Sequence, residues 1–274
     1  MRRQRLVLSI ALLAVARAPS LEAQRPDSSA NSPTPLFSKR DAYIGAGFIA
    51  ATLALLPLDR AIAQELQDSA AQANRFFGGA AADFERAAVP GTYVIGGALY
   101  VVGRIGHFER VADLGLHSTE AVFMAIQITD LVKGFAGRAR PSMVGDSLPG
   151  SFRFARGLGR KGGYTSFPSG HTAKAFGAAS AVTAEMSRWW PRSVWIVGPL
   201  TYGSALMVGL SRMYHNAHWA SDVALGAGIG TFSGIKVVRY NHTHPRNRLD
   251  RWLLGTRLSP DAHGGLALTL ELSP

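Results

Sequence analysis

The 274-residue chain has no cysteine, so disulfide bridges and thiolate metal sites are excluded and the redox state of its compartment leaves no trace in the sequence. It has neither a phosphate-loop pattern ending in Gly-Lys-Ser/Thr nor a Gly-x-Ser-x-Gly elbow, which removes P-loop nucleotide hydrolases and elbow-type serine esterases. No internal repeat or break in composition argues for two domains. Acidic residues are scarce, 18 against 29 Lys and Arg, for a formal charge of +11. The basic residues are scattered through connecting stretches and do not line one helix with base-reading partners. An anionic small molecule or a membrane surface therefore fits better than nucleic acid. Long apolar runs are scarce as well. Only 193–211 is a charge-free apolar run near spanning length and 42–58 comes close, while the mean hydropathy of +0.09 is low for a polytopic protein.

The first residues carry a targeting pattern. Basic Met1-Arg2-Arg3-Gln4-Arg5 precedes an apolar run from Leu6 to Ala16, and Leu21-Glu22-Ala23 forms a small-residue cleavage site before Gln24. The apolar run is shorter than the ~20 residues that cross a bilayer, so residues 1–23 read as a cleaved export signal. Residues 24–40 follow as a disordered leader, rich in Pro, Ser and Asn over 24–35 with almost nothing to bury.

From Ala42 onward, apolar segments rich in Ala, Gly and Leu alternate with Pro, Gly or charged stretches, which favours helices over strands. The pattern predicts helices over 41–57, 59–75, 92–103, 118–136, 171–188, 193–211 and 218–238. The fold class expected is all-α: one multi-helix bundle over 41–240, with its site at one end. The C-terminal tail, 241–274, has one alternating segment, Leu266 to Leu272, able to form a short edge strand or to fray.

Three motif blocks fall at helix ends: Lys133 with Arg140-Pro141 seven residues on, Pro168-Ser169-Gly170-His171, and Ser211-Arg212 with His218 and Asp222 behind it. Antiparallel neighbours bring all three to the same end of a bundle. The set supplies three cations, two histidines and a carboxylate, which suits gripping a phosphate and passing the phosphoryl group through a histidine. Helical spacing places Lys133 and Arg140 on one face, with Arg138 off it, and Pro141 as the helix end. It also places His218 and Asp222 on one face, where the carboxylate can accept from one imidazole nitrogen and leave the other free. Taken alone, that pair would be a helix-closing contact and Ser169 a helix cap. His215 with His218 and Asp222 resembles a metal set but lacks a further ligand, and no metal ligands are assigned. His107, His117, His242, His244 and His263 have no partner legible in the sequence.

The order and spacing of the blocks, K-x6-RP, PSGH and SR-x5-H-x3-D, resemble the signature of the type 2 phosphatidic acid phosphatase and vanadium haloperoxidase superfamily. The motifs cover about residues 133–222. The resemblance implies that His218 forms a phosphohistidine oriented by Asp222. It makes His171 the acid that protonates the leaving alcohol and then helps water attack the phosphoenzyme. Lys133, Arg140, Ser169, Gly170 and Arg212 would then hold the phosphate. It implies a metal-independent phosphatase without cofactor, acting on a phosphomonoester or diphosphate of a lipid or small molecule, with no protein partner indicated. The alternatives are a vanadium haloperoxidase, in which vanadate is the cofactor, and a non-catalytic phosphate-binding envelope protein.

Export places the protein in the periplasm or envelope, with membrane association open. The basic turn at 188–192 and the parity of helices before Lys133 favour a globular exported domain, with an integral inner-membrane protein as the alternative. The connection from Ser142 to Ser166 abuts the site at both ends. It is expected to cover the pocket and set substrate choice, with Phe152 and Phe154 against an apolar tail.

Overall fold

The computed structural model describes residues 35–88, 90–143, 148–159, 163–244, 256–260 and 266–270. The signal, the leader as far as residue 34, and parts of the tail lie outside them. The helices are α1 (Lys39–Leu55), α2 (Asp59–Leu66), α3 (Ser69–Ala73), α4 (Arg75–Ala88), α5 (Pro90–Ile105), α6 (Glu109–Ala136), α7 (Gly170–Trp189), α8 (Val194–Tyr214) and α9 (Ala220–Thr243). Strands β1 (Thr256–Pro260) and β2 (Leu266–Leu270) pair antiparallel, Leu258 opposite Leu268. The alternating segment of the tail is thus a hairpin strand. Three helical elements depart from the sequence pattern, one of them α6, which begins at Glu109 and not at 118. The stretch 59–75 breaks at Asp68, whose carboxylate accepts from Ala70 N at 2.9 Å and starts α3. Helix α4 lies where no helix was expected, its amphipathic period surviving the low helix propensity of the Gly78-Gly79 pair.

Ser38 opens α1 with a capping box: Asp41 N donates to Ser38 Oγ at 3.3 Å and Ser38 N to Asp41 Oδ2 at 2.7 Å. The same carboxylate, buried, accepts from Lys236 Nζ at 2.5 Å and Arg239 Nη1 at 2.7 Å, which pins α1 to α9. Helices α6, α7 and α9 pack on one another, α1 lies on α9, α5 on α6, and α8 on α7. The core is built of small residues, with Ala175, Phe176, Ala179, Ala205, Val208 and Ala227 in one buried cluster.

Small side chains matter most between α7 and α9. A Cβ at Gly226 would lie 2.5 Å from Ser169 O, one at Gly230 2.3 Å from Ala173 O, and one at Gly234 2.6 Å from Ala181 N. Spaced four apart, these three glycines let two backbones touch and fix the axial register that aligns the motif ends. Gly230→Ala is expected to destabilise the protein by about 1–3 kcal/mol through forced helix separation. Thermal unfolding of the purified variant measures the loss.

Among the described residues, two segments are long and apolar enough to cross a membrane, Lys39–Leu66 (α1 through α2) and Pro191–Tyr214 (α8 with the turn before it). Their most apolar stretches are only 11% and 22% buried inside the fold. Ile49 and Leu53 on α1 and Trp195, Ile196, Leu200 and Leu206 on α8 are all exposed.

Candidate active site

The site is built from the C-terminal end of α6, the N-terminal ends of α7 and α9, and the turn after α8. Helix α6 ends earlier than Pro141: Gly137 takes a left-handed conformation, φ 51°, and its N–H closes on Lys133 O at 3.2 Å. A Cβ there would sit 2.2 Å from Arg153 O, so only glycine fits. Lys133 therefore lies on the last helical turn while Arg140 lies in the following extended segment, and the shared-face expectation is corrected. What brings Arg140 back is backbone pairing: Arg140 N donates to Gly163 O at 3.0 Å and Ser166 N to Arg138 O at 3.0 Å.

Ser169 and Gly170 start α7 as expected, but the Ser169 hydroxyl makes no cap bond to the backbone. It accepts from Thr172 Oγ1 at 2.9 Å, and Ser169 N donates to Asp222 O at 2.9 Å, tying the second block to the third. Lys133 Nζ lies over Gly170, 2.7 Å from where a Cβ would stand, so the glycine admits the ammonium. His171 is half-buried in the first turn of α7, with Lys174 one turn further.

His218 precedes α9 and is not on it, since the helix opens at Ala220. The His–Asp relation is therefore made at a helix entry and not along a helix face. Asp222 Oδ2 accepts from Trp219 N at 2.9 Å and from Ser166 Oγ at 2.5 Å. His218 Nδ1 lies 2.8 Å from Ser166 O and 3.5 Å from Asp222 Oδ2. Donation of Nδ1–H to that carbonyl leaves the Nε2 lone pair for chemistry, so the Ser166 carbonyl fixes the tautomer and Asp222 supplies charge. Arg212 is buried at the end of α8, and its carbonyl accepts from Ala217 N at 3.0 Å and His218 N at 3.3 Å, which sets the turn to His218.

Sequence reasoning missed Arg138. Its guanidinium is fully buried, donating Nη1 to Asp222 Oδ1 at 2.5 Å and to Ser221 Oγ at 2.7 Å, and Nη2 to Asp59 Oδ2 at 2.6 Å. Asp59, equally buried, accepts from Ser221 N at 2.9 Å and Ser221 Oγ at 2.5 Å. An arginine thus bridges two carboxylates under the site. Phe152 and Trp219 flank it, with its charge 4.8 and 5.4 Å from their ring centres. The long connection also departs from expectation. Phe152 packs edge-on against Phe167 as well, and Arg156 donates to Gly137 O at 2.9 and 2.7 Å, so part of the connection caps α6. Phe154 stacks on Phe135 and stays exposed.

Crowded cations and burial tune Lys133, Arg140 and His218, which lie outside the two candidate spans. Burial pushes the Lys133 ammonium from 10.5 down to about 8, with Asp130 opposing and Arg140 and Lys174 adding. Burial and then Arg212 lower Arg140. Burial also lowers His218 from 6.5, against the pull of Asp222, and keeps its imidazole neutral at neutral pH. Arg140 Nε is buried and has no hydrogen-bond partner among the described residues, which leaves a donor for an anion.

A model of the PAP2 superfamily matches residues 115–246. The chain is 33% identical over 156 residues to a lipid A 1-phosphatase of Rhizobium etli, covering 55% of this chain and 62% of that one. It is 26% identical over 149 residues to an undecaprenyl-diphosphatase of Sulfolobus acidocaldarius, covering 53% and 64%. Over 71 residues it is 44% identical to a lipid A 1-phosphatase of Porphyromonas gingivalis, 25% of this chain and 15% of the relative. The chain thus spans less than two thirds of the length of these curated relatives. The crystal structure of a transmembrane PAP2-type phosphatidylglycerolphosphate phosphatase from Bacillus subtilis superposes with a TM-score of 0.54 at 19% identity, covering 77% of this chain and all of that one. With the three motif blocks gathered at one end of an all-helical bundle of the same fold, residues 115–246 of the chain match the PAP2 superfamily.

Proposed function

We propose that the protein is a membrane-associated lipid phosphatase that hydrolyses a phosphomonoester or diphosphate through a phosphohistidine at His218. The observation that carries this reading is the His218 environment: Nδ1 held by the Ser166 carbonyl, Nε2 left free, and the imidazole kept neutral by burial. Nε2 attacks phosphorus, and the P–O bond to the lipid breaks as His171 gives the leaving oxygen its proton. His171 then takes a proton from water, whose oxygen displaces His218 and releases inorganic phosphate. Lys133, Arg140 and Arg212, with Ser169 and the Gly170 backbone, neutralise the equatorial oxygens, the task a metal performs elsewhere. The relatives' printed substrates, lipid A and undecaprenyl diphosphate, and the exposed apolar sides of α1 and α8 support a lipid phosphate and an integral placement.

The test is phosphate release by the purified chain in detergent from lipid mono- and diphosphates and from soluble phosphate esters, with chelator, with and without vanadate. Release preferring lipids, resistant to chelator and blocked by vanadate is expected. Vanadate-dependent bromide oxidation by peroxide without phosphate release would reassign the site to haloperoxidase chemistry.

The pH dependence follows from the same charges. On the alkaline side kcat/KM is expected to fall with a midpoint near 8, because Lys133 loses the proton that binds phosphate there. The acid limb falls below 6.5, where His218 becomes protonated and loses its nucleophilic lone pair. Lys133→Arg is expected to remove the alkaline limb near 8. An unchanged limb in that variant would assign it to another group.

A further inference from the structure

Three side chains with no role in the phosphate site converge on one another from the three core helices. His117 Nδ1 on α6 contacts Glu185 Oε1 on α7, and His242 Nε2 on α9 lies 2.9 and 2.8 Å from the two oxygens of the same carboxylate. Glu185 and His117 are buried, and the His242 side chain keeps 19% of its surface exposed. At the ~1.5 Å rise of a helix, His117 is about 24 Å from Lys133, Glu185 about 21 Å from His171, and His242 about 30 Å from Asp222, all toward the opposite end of the bundle.

We propose that His117, Glu185 and His242 form a divalent-cation site, best suited to zinc, that clasps α6, α7 and α9 at the end of the bundle away from His218. Two imidazoles and one carboxylate are a zinc donor set that leaves a fourth position for water, and the exposed edge of His242 gives that position access to solvent. The donor atoms all lie within 4.8 Å of one another. Ligands about 2.1 Å from a tetrahedral ion stand about 3.4 Å apart, so the His242–Glu185 contacts need open by about 0.6 Å and the shorter His117–Glu185 contact by more. His242 can supply that movement because it sits on the last turn of α9. A fully buried carboxylate is costly unless compensated by charge, and a dication compensates it while linking three helices that otherwise meet mainly through small residues. In a chain without cysteine, nitrogen and oxygen donors are the ones available.

The experiment uses the full chain, purified in detergent without a histidine tag, stripped with chelator and retitrated with zinc. Bound metal is counted after gel filtration and unfolding is followed thermally. The wild type is expected to bind a single zinc ion and to melt several degrees higher with it. Glu185→Gln and His242→Gln are expected to lose both effects, and His218→Ala to keep both. If Glu185→Gln fails to fold, His242→Gln at the exposed edge decides alone. Absence of stoichiometric zinc in the wild type, or full retention in His242→Gln, would overturn the proposal and leave a hydrogen-bonded cluster. Because the cation sits far from the phosphate, stripping it is expected to lower the melting temperature without stopping phosphate release. The two proposals therefore fail separately.

Discussion

Replacing His218 by alanine is expected to lower kcat by roughly 10⁴-fold or more, because the variant has no group to carry the phosphoryl between alcohol and water. The surrounding cations would still bind the substrate, so KM is expected to change far less than kcat. His171→Ala is expected to give a similar loss with a lipid alkoxide as leaving group, and a smaller one with a nitrophenolate, which leaves without a proton. Asp222→Asn should cost much but not everything. The Ser166 carbonyl still orients His218 Nδ1 at 2.8 Å, while the charge that steadies the imidazole is gone. Steady-state kinetics on variants with wild-type melting behaviour measure each effect. Retained hydrolysis in His218→Ala would end the nucleophile assignment.

The second large effect belongs to Arg138. Its guanidinium joins Asp59 and Asp222 at 2.6 and 2.5 Å with no exposed surface, so Arg138→Met strands two buried carboxylates. Breaking a buried ion pair from one side costs about 3–5 kcal/mol, and the same change frees Asp222 to shift from His218. Both a lower unfolding midpoint and a kcat loss at temperatures where the variant is folded are expected. Arg138→Lys cannot reproduce the fork to two acceptors and is expected to rescue little. Adding Asp59→Asn to Arg138→Met should restore part of the stability but not the rate, since it relieves one stranded charge and leaves Asp222 unanchored. A double variant as unstable as the sum of the single ones would show that Asp59 and Arg138 are not coupled.

Much of this was legible in the sequence, for physical reasons that also mark where legibility stops. Apolar segments bounded by Gly and Pro placed the main helices, and antiparallel neighbours then required the three motif blocks to meet. The errors came from extending helical geometry through residues that break it. Reading 133–141 as continuous helix put Arg138 on the wrong face, whereas the left-handed turn at Gly137 sends it beneath the site. The glycine pair in Lys133-Gly134-Phe135-Ala136-Gly137 was the available signal. His218 was likewise placed on a helix that begins two residues later, at Ala220. His117 and His242 had no partner legible because Glu185 lies 68 and 57 residues away from them, on another helix. Such long-range pairings depend on the axial register of helices, here set by the contact of Gly226, Gly230 and Gly234 with α7, and periodicity carries no information about register.

The central claim is that the phosphoryl group rests on His218 between two displacements. Rapid quenching of the enzyme during turnover of a lipid phosphate, followed by peptide mapping, tests it most directly. The account expects an acid-labile, base-stable phosphoryl group on the peptide carrying His218, formed faster than phosphate is released and absent in His218→Ala. A phosphoryl group on another residue, or turnover with inversion at phosphorus and no trapped intermediate, would contradict it.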